Sequence, residues 1–455
     1  MRLNRKKEKD NAKSYPPNKI QKGKQALQFS VFKNALKFLG PGLITGASDD
    51  DPSGIATYSQ AGAKFGLGML WLAIFQYPLM TVIQEMCARI GLATGDGIAG
   101  IMRRKYSKKV VFTLVSLLLV ANTINVGADI GAMAASVRLV FPQMPVIIVT
   151  ISFAAFILAA EILVPYEKYV RILKYLTLTL FAYVATALIV GGNAIQILLS
   201  SVIPHVEFTK DYVMMFVAIF GTTISPYLFF WQASEESEED VAKHKIKDIG
   251  QGKPKISRKE VRIMRMDVAV GMAFSILIMS SIVVTTAGSL HAKGITDIST
   301  AQEAAKALQP LVKTFPYSGE IAEVIFALGI IGTGLLAVPV LAGSSAYAIS
   351  DTFGWKQGLG KKFKQAKPFY LVIAVSTIIG LGINFVNIDP IKALIYTAVI
   401  NGITAVPILF IILKIANDKK ILEDKTNSSV SNILGWLTFL IMGISVAVLF
   451  FTWGS

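Results

Sequence analysis

The chain has 455 residues, of which 53% are hydrophobic and only 16% charged; its mean hydropathy is +0.56 and its formal net charge +16. A soluble domain carries roughly 25% charged residues, and the repeated apolar runs of this sequence exclude a soluble globular fold. The basic excess is confined to short bursts between those runs, which excludes nucleic acid as a partner and makes the charge a topology signal.

The runs fall at roughly 36–62, 67–93, 109–136, 143–164, 169–192, 212–233, 266–290, 319–350, 369–388, 391–413 and 431–453. Each is long enough to cross a ~30 Å hydrocarbon core. No water serves the backbone there, so helix is the element expected throughout. With the N-terminus inside, the inner segments 1–37, 101–109, 165–175, 234–265, 356–367 and 414–425 hold 37 of the 45 Lys and Arg, the positive-inside pattern. The sequence therefore predicts an all-α, multi-pass plasma-membrane protein of about eleven transmembrane helices. Its N-terminus is expected to be cytoplasmic and its C-terminus extracytoplasmic. The bilayer is its expected surroundings; no cofactor and no protein partner are predicted.

Taken in order, residues 1–35 are polar and basic with no apolar segment of their own, and read as a disordered cytoplasmic tail, not a cleaved signal peptide. The first span, LKFLGPGLITGASDDDPSGIATYSQAGA, is broken midway by Asp49, Asp50, Asp51, Pro52, Ser53 and Gly54. Proline removes a backbone donor and pushes Asp51, the residue before it, out of helical geometry. A charge at membrane depth costs at least ~2.5 kcal/mol, and three adjacent carboxylates repel one another unless a cation lies near or some are protonated. Asp51 is thus expected to point into a cavity, with Asp49 and Asp50 at its wetter mouth. In the second span Glu85 and Arg89, four apart, are spaced to pair on one helix face. Cys87, the single cysteine, reads as a buried core residue.

Asp129 of the third span lies among small residues that let helices approach closely. It admits two readings: an acid that draws cations to the pathway, or a hydrogen-bond partner for a broken helix. After the fifth span a polar linker, 193–211, leads to the sixth, YVMMFVAIFGTTISPYLFFWQAS, which is broken at Gly221, Thr222, Thr223, Ile224, Ser225 and Pro226. Two successive five-helix units, 36–192 and 212–415, must run in opposite senses because five is odd, and a further helix, 431–455, closes the chain. Inverted repeats whose first helices are interrupted at matching depth form ion sites near the bilayer midplane. The ligands on offer are Asp51, Thr222, Ser225 and carbonyls at both breaks. This all-oxygen set suits Mg²⁺, Ca²⁺ or Mn²⁺ rather than a soft metal; Met214 and Met215 lie too far from the break to add sulfur.

Beyond the sixth span the acidic run Glu235 to Asp240 reads as a solvated helix face, with attraction of cations to an inner mouth as the alternative. His205, His244 and His291 all fall in loops. With one isolated cysteine and no embedded histidine, the chain offers no nucleophile and base for an enzyme. The outer loop 291–318 contains a candidate amphipathic helix, and Asn401 of the tenth span is a further oxygen donor in reach of the site.

Three segments together, GPGLITGASDDDPSGIATYSQAGA, CARIGLATGDGIAG and Thr222 to Trp231, resemble the natural-resistance-associated macrophage protein (Nramp) family of divalent metal transporters over about residues 36–415. The resemblance implies a LeuT-type 5+5 inverted repeat with broken helices 1 and 6, proton-linked uptake of Mn²⁺ or Fe²⁺, and a metal-binding role for Asp51. Where the family has asparagine this chain has Gly54. The family's Met-Pro-His reads Ser225, Pro226 and Tyr227, its second histidine is Gln232, and its Asp-x-x-Glu keeps only Asp129. The pattern is similar to the Nramp-related magnesium transporter branch. It implies Mg²⁺ or Mn²⁺ as the carried substrate, partly hydrated and without evident proton coupling. The metal residues expected are Asp51, Gly54, Thr222 and Ser225, with Asp49, Asp50, Asp129, Tyr227 and Asn401 as secondary candidates. A proton-coupled Mn²⁺/Fe²⁺ importer is the alternative. A sodium-coupled symporter of an organic anion is disfavoured, because three carboxylates at the first break would repel its substrate.

Overall fold

The structure, a computed structural model, describes residues 40–164, 177–385 and 388–453. The tail expected over 1–35 and the basic loop 165–175 lie outside them. Each of the eleven predicted runs carries helix in its described part. The first is α1 (Pro41–Asp49) and α2 (Pro52–Phe65), and the second is α3 (Trp71–Thr94). A short amphipathic α4 (Ile98–Lys105) precedes α5 (Lys108–Val140), the third run, and α6 (Val146–Leu163), the fourth. The described end of the fifth is α7 (Phe181–Val190), followed by α8 (Ala194–Val202). The sixth is α9 (Lys210–Thr223) with α10 (Pro226–Ala242). Then come α11 (Arg258–Ser289), α12 (Ser318–Phe353), α13 (Lys367–Ile383), α14 (Pro390–Ala416) and α15 (Ser429–Trp453). Among the described residues seven helices are long and apolar enough to cross a membrane, with α9 and α10 counted as one.

Both breaks are made by the same local chemistry. Asp51 and Ser225 each take an extended conformation, φ −67° and ψ 173° in one and φ −82° and ψ 135° in the other, and each is followed by proline at the first helical position. Proline is pre-set for that position and has no N–H to leave unpaired. Each predicted span thus ends one helix and starts another within two residues, as the inverted repeat requires. Where the halves meet their neighbours the backbones touch. A Cβ on Gly46 would come within 2.2 Å of the Gly271 carbonyl, and one on Gly221 within 2.0 Å of the Ala398 carbonyl. Only a residue without a side chain allows α1 to lie on α11, and α9 on α14, this closely.

Two regions read as polar turn out more structured. The linker 193–211 contains α8, which turns by 117° from α7 and exposes Ile195, Leu198 and Leu199, as a helix lying along a membrane interface does. Most of the acidic run at the end of α10 is engaged by protein groups rather than left to solvent. Glu238 accepts from the amides of Leu359 and Gly360, Glu239 pairs with Lys243, and Asp240 pairs with Lys245. In the loop 291–318, short helices cover Ala301–Ala305 and Gln309–Val312.

Glu85 and Arg89 pair at 2.9 Å, as their spacing predicts, and Arg265 of α11 joins the same carboxylate at 2.8 Å. Arg89, fully buried, also donates to Asn427 and to the Lys425 carbonyl, which fastens the segment before α15 to α3. Removing one partner of a buried pair leaves an uncompensated charge and costs about 3–5 kcal/mol. Glu85→Ala is therefore expected to lower the thermal midpoint of the purified protein markedly, while Lys64→Ala, at an exposed pair with Asp211, leaves it nearly unchanged; equal midpoints would refute the role given to Glu85.

Candidate cation site

The two breaks face each other. A Cβ on Gly54 would lie 3.2 Å from the Thr222 hydroxyl and 3.2 Å from the Asp49 carbonyl oxygen, so the first turn of α2 sits against the last turn of α9. Tyr227, on the first turn of α10, donates its hydroxyl to the Ser48 carbonyl at 3.0 Å. Thr45 of α1 donates to Gln232 of α10 at 2.5 Å. Residues of both interrupted helices thus converge on one buried volume, in which Asp49, Asp50, Asp51, Thr222, Ser225, Tyr227, Asp129 and Asn401 are each no more than 1% exposed.

Asp51 holds the centre. One carboxylate oxygen caps α2, accepting from the Gly54 amide at 2.8 Å and the Ser53 hydroxyl at 2.6 Å; the other accepts from the Asn125 amide of α5 at 3.1 Å. All three donors are neutral. The positive end of α2 favours a negative charge here, and a carboxylate offers about four lone-pair directions, so one remains after these bonds. Among the described residues no basic side chain pairs with it. Thr222 Oγ1, both oxygens of Asp50, both of Asp129 and both amide atoms of Asn401 have no hydrogen-bond partner among the described residues.

The remaining expected residues divide. Gly54 and Thr222 lie beside Asp51 at the contact of the two breaks. Ser225 is less free than expected: its hydroxyl turns back on its own chain and donates to the carbonyls of Gly221 and Thr222, as an extended residue ahead of a proline readily does. Asp49 is claimed on one side by the Ser275 hydroxyl of α11. Tyr227 is spent on Ser48. Asp129 makes no bond to either broken helix; Asn125, one turn earlier on the same helix, makes it instead. Asn401 stands next to Gly402, where α14 crosses α9 at Gly221. Among the described residues no three His, Cys, Asp or Glu side chains converge as a metal cage; the groups beside Asp51 are hydroxyl, amide and carbonyl oxygens.

Asn125 was legible only as one polar residue in an apolar helix; what signals its role is its position four residues before Asp129, on the same face. On the far side of α2 the site is closed by Gln60, whose amide donates to the Thr296 carbonyl at 3.1 Å and accepts from the Ile298 amide at 2.8 Å. Beyond this clasp lies a cavity of about 170 Å³ lined by Gln60, Lys64, Asp211, Met215, Asp297 and Lys392. Gln60 is nine residues from Asp51, about 13 Å along the helix axis.

The fold is a multi-pass helical one of the LeuT type, with two interrupted helices. The family model for natural resistance-associated macrophage protein-like proteins matches residues 42–452. The chain belongs to that family, which is one of metal transporters and not of enzymes. Among solved structures it is similar to the Eremococcus coleocola manganese transporter in complex with an aromatic bis-isothiourea compound, at 16% identity and a TM-score of 0.70, covering 92% of this chain and 88% of that one. It is also similar to a nucleobase-cation-symport-1 family transporter in a closed conformation with bromovinylhydantoin bound, at 12% identity and a TM-score of 0.50, covering 90% and 92%.

The Tyr227 bond to Ser48 is one neutral hydrogen bond, worth about 0.5–1.5 kcal/mol. Tyr227→Phe is expected to speed backbone hydrogen exchange over 41–49 and leave 52–65 unchanged. Equal exchange in both segments would show that this bond does not hold α1.

Proposed function

We propose that this chain carries a divalent metal cation, Mg²⁺ or Mn²⁺, into the cytoplasm through an all-oxygen site between its two broken helices. The observation that supports this reading above all is Asp51: a carboxylate at the meeting of the breaks, opposite Thr222, held only by neutral donors. Neither break carries sulfur or imidazole, and hard oxygen ligands favour Mg²⁺ or Mn²⁺. Gly54 contributes no side chain, and Ser225 lends its hydroxyl proton to the backbone, so few protein oxygens compete with the ion's own water. Mg²⁺ gives up water reluctantly, and a cation carried with part of its shell suits such a site.

Two charges crossing the full membrane field gain about 4.6 kcal/mol per 100 mV, twice the single-charge value. The gradient and the membrane potential are then sufficient without protons. Entry into the cytoplasm follows from the charge pattern of the loops, which favours an inside N-terminus and an outside C-terminus in the plasma membrane. The bodies that move are the repeats 36–192 and 212–415, with 431–455 as an added helix. One observation favours proton coupling instead: Asp129 is fully buried with both oxygens unpaired, as a proton-carrying acid is in pumps and transporters.

Proteoliposomes separate the two. Mg²⁺-dependent flux without acidification of the lumen is expected; Mn²⁺-selective flux with acidification would establish the proton-coupled reading. Asp51→Ala is expected to abolish binding of both ions. Asn125→Ala, which frees Asp51 from its outer donor, is expected to weaken binding about 10-fold, as loss of a ligand's supporting hydrogen bond does. Ser225→Met is expected to shift preference toward Mn²⁺ or Cd²⁺, and unchanged selectivity would count against the hard-site argument.

A further inference from the structure

Between the breaks and the end of α10, the seam where α1 meets α10 is lined by oxygen. Thr45 lies six residues before Asp51 and Gln232 six after Pro226, each about 9 Å along its helix, and the two are bonded at 2.5 Å. The bond fixes the Gln232 amide: its oxygen faces Thr45, and its NH₂ donates to Glu236 at 3.1 Å, one turn further on. Ser48 lies between this pair and the break, its hydroxyl buried and unpaired. Glu236 is itself only 3% exposed, and Gln232 is its one hydrogen-bond donor among the described residues.

Such a carboxylate is costly. A buried charge is retained where it is paired or binds a cation. Among the described residues no basic side chain pairs with Glu236. The charged groups that face it include Glu235, Glu239, Asp267 and Asp240, all of its own sign; Lys243 and Lys245 are taken by Glu239 and Asp240. Asp267 is bonded to the Gly42 amide at the start of α1, at 2.7 Å. The bonds that close α1 on α10 and α11 therefore engage the same oxygens that a departing cation would need, and parting the helices frees them together.

We infer that Glu236, with Gln232 as its positioning residue and Thr45 across the seam, is a second and transient station for the divalent cation, reached after Asp51 on the way out of the main site. This rests on the transport reading above. At the station the ion exchanges one carboxylate for another while α1 moves aside, and Gln232 turns its amide oxygen from Thr45 to the ion.

The test uses the full chain in proteoliposomes with Mn²⁺ as the probe, comparing parent, Glu236→Gln, Glu236→Asp and Thr45→Val, each normalised to folded protein by thermal midpoint. Equilibrium Mn²⁺ binding to the purified protein is expected to stay within about 2-fold in all three variants, because Asp51 is untouched. Uptake is expected to fall about 10-fold in Glu236→Gln, the loss typical of a metal-supporting group, and to recover to within about 3-fold of the parent in Glu236→Asp. Glutamine keeps the shape and a partner for Gln232 but loses the charge, whereas aspartate keeps the charge and loses the reach. A merely structural Glu236 gives the reverse order, and that result overturns the proposal. If Glu236→Gln does not fold, Thr45→Val decides, with slower uptake at unchanged binding expected and parental uptake overturning the station. Failure of the parent to move Mn²⁺, or binding that survives Asp51→Ala, would defeat the transport reading itself, whatever the order of the Glu236 series.

Discussion

A helix interrupted inside a membrane must find partners for its freed amides and carbonyls, since neither lipid nor bulk water supplies them. In this protein that requirement is met by the same side chain that gives the site its charge. Asp51 caps α2 through the Gly54 amide and borrows the Ser53 hydroxyl, so structural need and negative charge coincide on one carboxylate. The partner break is closed by Ser225 in the corresponding position, which bonds the last carbonyls of α9. One break ends with an anion offered inward, the other with a neutral group turned home. This asymmetry between matched positions leaves the volume with a net negative group.

The surrounding helices serve that arrangement. Glycines at positions 46 and 221 bring backbone onto backbone, which fixes where each half-helix can lie. The buried Glu85 cluster anchors α3, α11 and the start of α15 in one frame. Closure is polar on both flanks: Gln60 reads the backbone of the loop after α11, while Thr45 and Tyr227 tie α1 to α10.

Much of this was legible beforehand. The apolar runs carry period and length, and Pro52 and Pro226 mark the breaks because proline acts on its own backbone within one residue. The pairing of Glu85 with Arg89 follows from helical spacing alone. What could not be read depends on which faces meet. Asn125 and Asp129 lie one turn apart on the same face of α5, and only the height at which α5 passes the first break decides that Asn125 reaches Asp51. Ser225 was expected as a ligand by its position, yet a short hydroxyl beside two freed carbonyls is drawn to them first. The acidic run of α10 looked solvated because its partners, Leu359, Gly360 and Lys245, lie far away in sequence or across a turn.

The attachments of α1 and α10 are unequal. Glu238 fastens the end of α10 to the backbone at Leu359 and Gly360, and Tyr347 reaches the same carboxylate from α12. The nine residues of α1 are held by single bonds at Gly42, Thr45, Ser48 and Asp49. In mechanical language α10 is a post bolted to its frame and α1 an arm on a latch, so thermal agitation works first on the arm, and any swing that uncovers the interior leaves the post standing.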